Sequence, residues 1–265
     1  NYARFLPQRI TSILNQELPV SEIIFLDDAS SDESLAVAER MLKDCGINYR
    51  IVQNKKNSGS VFGQWRKGTE LATGEIVWIA EADDWASARF TRVAVEAFRD
   101  PDVVISYTQS NQINQKSEIL CPHYLDYVAD IDRERWRRSF VNDGRAELNA
   151  GLAVKNTLPN VSGVLFRREA LAQVLTERFD EIRSYRVAGD WCAYVHLAAH
   201  GKIAFDPRPL NYHRRHAGSV TNSRFTQAEW DEIARMQARV RDLADISPCM
   251  VEKAATYLDR LRQRL

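Results

Sequence analysis

The usual cysteine frameworks are missing from these 265 residues. Cys45, Cys121, Cys192 and Cys249 lie far apart and form no Cys-x-x-Cys pair. They therefore read as reduced thiols of a cytosolic protein, not as a zinc site or a disulfide frame. An excess of one charge is missing too: Lys plus Arg and Asp plus Glu number 36 each, which removes long-range steering toward nucleic acid. No apolar run approaches the roughly 20 residues that a membrane-spanning helix needs. Internal repeats and low-complexity tracts are absent as well. The chain begins without Met, and Asn1-Tyr2-Ala3-Arg4-Phe5-Leu6 reads as the loop and helix that follow a strand. The expectation is a fragment that starts just after its first strand. What is present is a 45% hydrophobic chain, enough for one α/β domain or a domain with an appendage.

The most informative stretch is Glu81-Ala82-Asp83-Asp84, set directly after the apolar run Ile76-Val77-Trp78-Ile79-Ala80. A strand buried on both faces reads as such a run, and ligands of open α/β sheets bind beyond the strands' carboxyl ends. Each close carboxylate pair costs roughly 1 kcal/mol in water and about 4 kcal/mol at an intermediate dielectric. A divalent metal bound with a phosphate offsets that cost; the bland alternative is a solvated acidic turn. The same grammar occurs earlier, where Ile23-Ile24-Phe25-Leu26 runs into Asp27-Asp28-Ala29-Ser30-Ser31-Asp32. Ser31 or Asp32 is suited to cap the next helix, and two acidic strand ends of one parallel sheet converge on one crevice.

Periodicity predicts helices over 5–16, 33–44, 61–72 and 88–98, alternating with strands at 22–26, 49–52, 75–80 and 103–107. Gly74 suits a left-handed helix end. This alternation is the mark of a parallel sheet with crossover helices. In the second half, 161–167 reads as a strand, 168–175 as a helix, and Gly189-Asp190-Trp191 opens a helix to about residue 200. A strand at 203–205 is followed by a polar loop over 211–221. Two amphipathic helices fill the region from Thr226 onward, suited either to dock on the domain or to meet a partner. Arg133, Arg135, Arg137 and Arg138 surround Trp136, a pattern of a solvated face or of sugar stacking.

The ordered series Asn1-Tyr2, the acidic run at 27–32, Asn57-Ser58-Gly59, Ala72-Thr73-Gly74-Glu75, Glu81-Ala82-Asp83-Asp84, Ser162-Gly163 with Arg167-Arg168, Gly189-Asp190-Trp191 and Arg214-Arg215-His216-Ala217-Gly218-Ser219 resembles the inverting family 2 glycosyltransferases of the GT-A fold. The resemblance implies an α/β, Rossmann-like, mostly parallel sheet with flanking helices. It runs over residues 1–222, with a nucleotide-binding half at 1–110, an acceptor and catalytic half at 111–222, and a helical extension at 223–265. It places the nucleotide base at Asp27 and Asp28, the ribose at Glu81 and Mn²⁺ or Mg²⁺ at Asp83, with His216 as a further metal ligand. Asp190 falls on the catalytic base, and Arg214, His216 and Ser219 on the loop over the diphosphate. Two positions depart from the family pattern: Glu81 stands for the usual Asp, and Gly189 for the acid before the base.

The chemistry so implied is a single displacement at the anomeric carbon of a nucleotide sugar. Asp190 would act as general base, a metal at Asp83 as Lewis acid, and Arg214 and His216 as donors to the leaving group. UDP is the family's default nucleotide, with dTDP- and GDP-sugars also within the fold. The acceptor is a glycan, a lipid-linked or a protein hydroxyl, in surface polysaccharide or glycan assembly. The expected place is the cytoplasm, free or at the inner membrane face. Two other classes compete. A non-catalytic nucleotide-sugar-binding module would tolerate change at Asp190. A phosphoacceptor signalling domain is much shorter than this chain. His123, His196 and His200 read as structural.

Overall fold

A computed structural model describes residues 1–215 and 225–265. His216 and Ser219 therefore lie outside the described residues. In chain order the first part carries α1 (Leu6–Leu14), β1 (Glu22–Asp27), α2 (Ser34–Leu42), β2 (Asn48–Gln53), α3 (Val61–Leu71), β3 (Ile76–Trp78) and β4 (Trp85–Ala86). Then come α4 (Phe90–Val95), β5 (Val103–Ile113), β6 (Ile119–Cys121), α5 (Leu125–Val128), β7 (Phe140–Asp143) and α6 (Gly144–Glu147). The last part holds β8 (Val164–Arg167), α7 (Arg168–Glu177), α8 (Phe179–Arg183), α9 (Gly189–Ala198), β9 (Lys202–Arg214), α10 (Gln227–Leu243) and α11 (Pro248–Arg262).

The sheet is mixed, not mostly parallel. β1 pairs with β2 and β5 with β9 in parallel, whereas β3–β8, β5–β8, β4–β9, β7–β9 and β5–β6 are antiparallel. Alternating strands and helices in the first 110 residues pointed to parallel neighbours, and that logic holds for β1 and β2. It fails for β3, because its partner β8 arrives from the second half of the chain with the opposite direction. Two sheets result: β1–β2, and a seven-stranded sheet in the order β3-β8-β5-β9-β4 with β6 and β7 at its margins. Between the edges of β1 and β3 runs a cavity of about 920 Å³.

Three apolar cores form, one of them around Phe90, Leu165 and Leu210, and the other two frame the site. α1 and α2 close a small one through Leu6, Ile10, Val37, Ala38 and Leu42. The large one gathers Ile105, Phe166, Tyr194 and Leu197, and it continues into the C-terminal helices through Met236, Val240, Met250 and Ala254. The helical extension thus docks on the main core. α10 starts from a reciprocal capping box between Thr226 and Glu229, which satisfies two of the helix's orphan N–H groups.

Several local expectations shift. The chain leaves α3 through Ala72 in an extended conformation, and left-handed glycines occur at Gly46 and Gly59 instead of Gly74. Asp32 accepts from Ser34 N at 3.0 Å and Ser34 Oγ at 2.5 Å, while Glu33 holds the cap position. β9 extends to Arg214, so the first part of the polar loop at 211–221 is strand. Of the Arg-rich stretch, Arg135 pairs with Glu147 and Trp136 is buried, its Nε1 donating to Tyr107 Oη at 2.9 Å. Arg135 and Trp136 thus serve packing, while Arg133, Arg137 and Arg138 are exposed.

Candidate active site

The loop after β1 is built around its two aspartates. Asp27 is buried and accepts from Ser30 N, while Gln53 Nε2 approaches it at 3.4 Å. Asp28 accepts from Asn54 Nδ2 at 2.6 Å, from Ser58 N and Oγ, and from Gln64 Nε2 at 3.0 Å. Burial works to raise the Asp28 carboxyl, but the hydrogen bonds from Asn54 and Ser58 outweigh it and leave it below the ordinary range. The Asn1 side chain accepts from Ser31 N at 2.7 Å, which ties the start of the chain to this loop. Asn1, Asp27, Asp28 and Ser30 line a pocket of about 280 Å³ together with Tyr2, Ala29 and Asn57.

The second acidic end is a tighter cluster. Carboxylate oxygens of Glu81, Asp83 and Asp84 lie within 4.8 Å of one another. Asp84 is buried and already committed, accepting from Asn160 Nδ2 at 2.9 Å and from Arg214 N at 2.7 Å. It anchors the end of β9 to the acid run. Glu81 is different. Burial, then the charges of Asp84, Asp83 and Asp190, hold its carboxyl well above the usual range.

Arg214 contributes to the architecture of this corner. Its guanidinium donates to Asp83 O at 2.6 Å, Asn114 O at 2.7 Å, Gln8 Oε1 at 2.7 Å and Ser117 Oγ at 3.1 Å, and it stacks on Phe5. A role on a departing diphosphate would require exchanging these bonds. Arg9 is the residue that sequence reasoning passed over. It is buried, its three guanidinium nitrogens have no hydrogen-bond partner among the described residues, and it stacks on Trp78 at 4.8 Å. Burial lowers it to about 10 while Asp84, Glu81 and Asp83 pull the other way. The signal was legible: Leu6, Arg9, Ile10 and Ile13 share a face of α1, so Arg9 sits on its buried side.

Asp190 lies in the first turn of α9. Its Oδ1 accepts from Trp191 N at 2.7 Å and its Oδ2 from Asn156 Nδ2 at 2.9 Å. Burial pushes the carboxyl up to about 6 against both of those bonds. Glu81, Asp83 and Asp190 all line the 920 Å³ cavity. Asn156 and Asn160 had no sequence signal, since each reaches its acid across tertiary space.

A sequence profile of the family described as "Glycosyl transferase family 2" matches residues 1–175. The chain belongs to this family. An uncharacterized glycosyltransferase of a Nostoc species is 28% identical over 91% of the chain and 69% of its own length. A Campylobacter jejuni protein named GalNAc(5)-diNAcBac-PP-undecaprenol beta-1,3-glucosyltransferase is 38% identical over 30% of the chain and 25% of its own length. Mycobacterial relatives match at 24% identity, and the chain spans 54% of their length. Among solved structures, S. aureus TarS 1–349 in complex with UDP-GlcNAc superposes with a TM-score of 0.69 at 15% identity, covering 98% of this chain and 70% of that one. The Pyrobaculum calidifontis mannosyltransferase PcManGT, in complex with GDP-Man and Mn²⁺, does so with 0.66 at 17% identity, covering 100% and 71%. Both likenesses show the α/β fold.

Among the described residues of this family 2 chain, one other group brings metal-ligand types together. Glu181, Cys192 and His196 have ligand atoms within 4.8 Å of one another. Glu181 is already engaged there, by Arg239 Nε at 2.8 Å and by His196 Nε2 at 3.0 Å. The cluster reads as packing between α8, α9 and α10. No helix of the described residues is long and apolar enough to cross a membrane.

Proposed function

We propose that this family 2 glycosyltransferase moves a sugar from a nucleotide-sugar donor to an acceptor hydroxyl with inversion. The observation that carries the reading is the carboxylate cluster of Glu81 and Asp83 with Asp190 near enough for its charge to raise Glu81, and with Asp190 itself pushed up to about 6. A carboxyl at that value is mostly ionised at pH 7 yet still basic enough to accept a proton in the transition state. Asp190 takes the proton of the acceptor hydroxyl as that oxygen attacks the anomeric carbon. The bond from that carbon to the diphosphate oxygen breaks on the opposite face.

The pocket at Asp27 and Asp28 takes the nucleotide base, and Glu81 the ribose. Hard carboxylate oxygens within 4.8 Å fit Mg²⁺ or Mn²⁺. Asp83 is the principal ligand in this reading, and Asp84 is held by Asn160 and Arg214. Such an ion would neutralise charge on the departing diphosphate. His216 as a further ligand, and Arg214 and Ser219 as contacts to the diphosphate, complete the proposed site. UDP is the favoured nucleotide, in keeping with the UDP-GlcNAc bound by TarS, and the GDP-Man of the archaeal enzyme is the chief rival. The undecaprenol-linked glycan in the Campylobacter relative's name supports a lipid-linked acceptor in glycan assembly, with residues 1–222 as the transferase unit working on the cytoplasmic side.

Calorimetric titration with UDP, dTDP and GDP, with and without Mn²⁺, tests this reading. Metal-dependent binding of one nucleotide is expected, and Asp83→Ala should abolish the metal dependence. Asp190→Asn should keep nucleotide affinity and lose transfer. Absence of binding by all three nucleotides would overturn the donor assignment, and binding without transfer would return the chain to the class of non-catalytic nucleotide-sugar-binding modules.

A further inference from the structure

We propose that Asn156 is a positioning residue for Asp190, locked in place by the C-terminal helices; the assignment rests on Asp190 being the base. Asn156 approaches from a segment remote in sequence, and its amide has only one usable orientation. Its Oδ1 accepts from Leu158 N at 3.1 Å, so the NH₂ group is the one that faces the carboxylate. Asp190 is then held by both oxygens, one by its own helix start and one by Asn156. That fixes the rotamer and leaves further lone pairs for an incoming hydroxyl.

The segment bearing Asn156 is clamped from two sides. Lys155 is buried, and its Nζ donates to Tyr127 O and to both oxygens of Asp130 at 2.8 Å. It also lies 4.4 Å from the Tyr257 ring centroid on α11, while Arg260 of the same helix reaches Asp130 at 3.1 Å. From α10, the buried Gln237 donates to Val154 O at 2.8 Å and to Ala254 O at 3.1 Å. Positions 154 and 155 are therefore fixed, which holds the backbone beside Asn156, while the bond from Leu158 N holds its amide. The titratable groups that sense the Asp190 charge are Glu81 at the end of β3, Tyr127 on α5, and Cys192 and Tyr194 on α9. Of these, the Tyr and Cys side chains stay neutral between pH 5 and 8, because burial raises all three.

Asn156→Asp keeps the acceptor for Leu158 N, removes the donor to Asp190 and adds a like charge; Asn156→Ala removes donor and acceptor together. The Asp190 carboxyl is followed by carbon NMR, and kcat and KM are measured against pH. In Asn156→Asp the Asp190 titration should rise by at least one pH unit. kcat should fall about fivefold at pH 6 and recover at higher pH, with the donor KM within about twofold. Asn156→Ala should move the same quantities in the same direction by less. An unmoved carbon titration, or a kcat lowered equally at every pH, would overturn the positioning role. The base assignment fails separately, if Asp190→Asn turns over like the wild type. A dead Asp190→Asn enzyme with an unmoved titration in Asn156→Asp removes only the positioning role.

Discussion

Asp190 weakens the fold whenever it is ionised, because its carboxyl is raised from 3.8 to about 6 on folding. A carboxyl raised in the folded state favours the protonated form there. The cost is therefore absent below about pH 4, grows through the window from 4 to 6, and is complete above it. Asp190→Asn should stabilise the protein at pH 7.5 by up to about 3 kcal/mol and leave it nearly unchanged at pH 3.5. Denaturant titrations at both values check this, and equal changes at both would show that Asp190 is not raised. Its neighbour Gly189, where the family pattern has an acid, has a physical reason to lack a side chain. A Cβ there would lie 2.3 Å from Phe62 Cζ and 2.8 Å from Ile182 O. At this scale the acids were legible, because an apolar run that ends in carboxylates is a local pattern. Arg9 and Asn156 were not read. Asn160 reaches Asp84 across 76 positions and Asn156 reaches Asp190 across 34, and no window of sequence holds both partners.

The boundaries of elements were read best where the pattern was strong and local. β1, α2 and α3 fall within about two residues of expectation. β9 was read only over 203–205 because Asp206-Pro207-Arg208-Pro209 breaks the apolar alternation that marks a strand, yet it continues to Arg214 beside β5 with register shifts at Thr108 and Gln109. The parallel reading of the sheet failed for a related reason: direction is set by tertiary partners, and β8 belongs to neither neighbour's local sequence. The extension at 223–265 was left between docking and partner binding, and its contacts with the main core decide for docking. Gln237→Leu should cost about 1–3 kcal/mol, since Val154 O and Ala254 O lose a buried donor. Nucleotide affinity should hardly change, because the pocket at Asp28 rests on the other core. Urea denaturation beside a nucleotide titration separates the two. A large loss of affinity would mean that α10 and α11 support the proposed donor side as well.

Across the whole molecule, the proposed donor pocket and the proposed base belong to different cores. The pocket rests on β1, β2, α1 and α2 with a handful of buried apolar residues, whereas Asp190 rises from the large core. β1 is bonded to β2, and its other edge faces the cavity toward β3. Local opening is governed by how much apolar contact an element keeps. Amide exchange should therefore be faster in β1 and β2 than in β5 and β9, and nucleotide should slow it mainly in the first pair. Uniform protection across both would show that the two cores open together.

The stack of Trp85 on Tyr212, 3.5 Å between ring centroids and 6° from parallel, sits directly after the acid run. On its other flank, Trp78 donates Nε1–H to Ser162 O at 2.7 Å and lies against Phe90. Two indoles therefore bracket the carboxylates, one stacked on a phenol and one hydrogen-bonded within the protein. The acid run thus carries intrinsic chromophores, and its occupancy can be followed by tryptophan emission without a label.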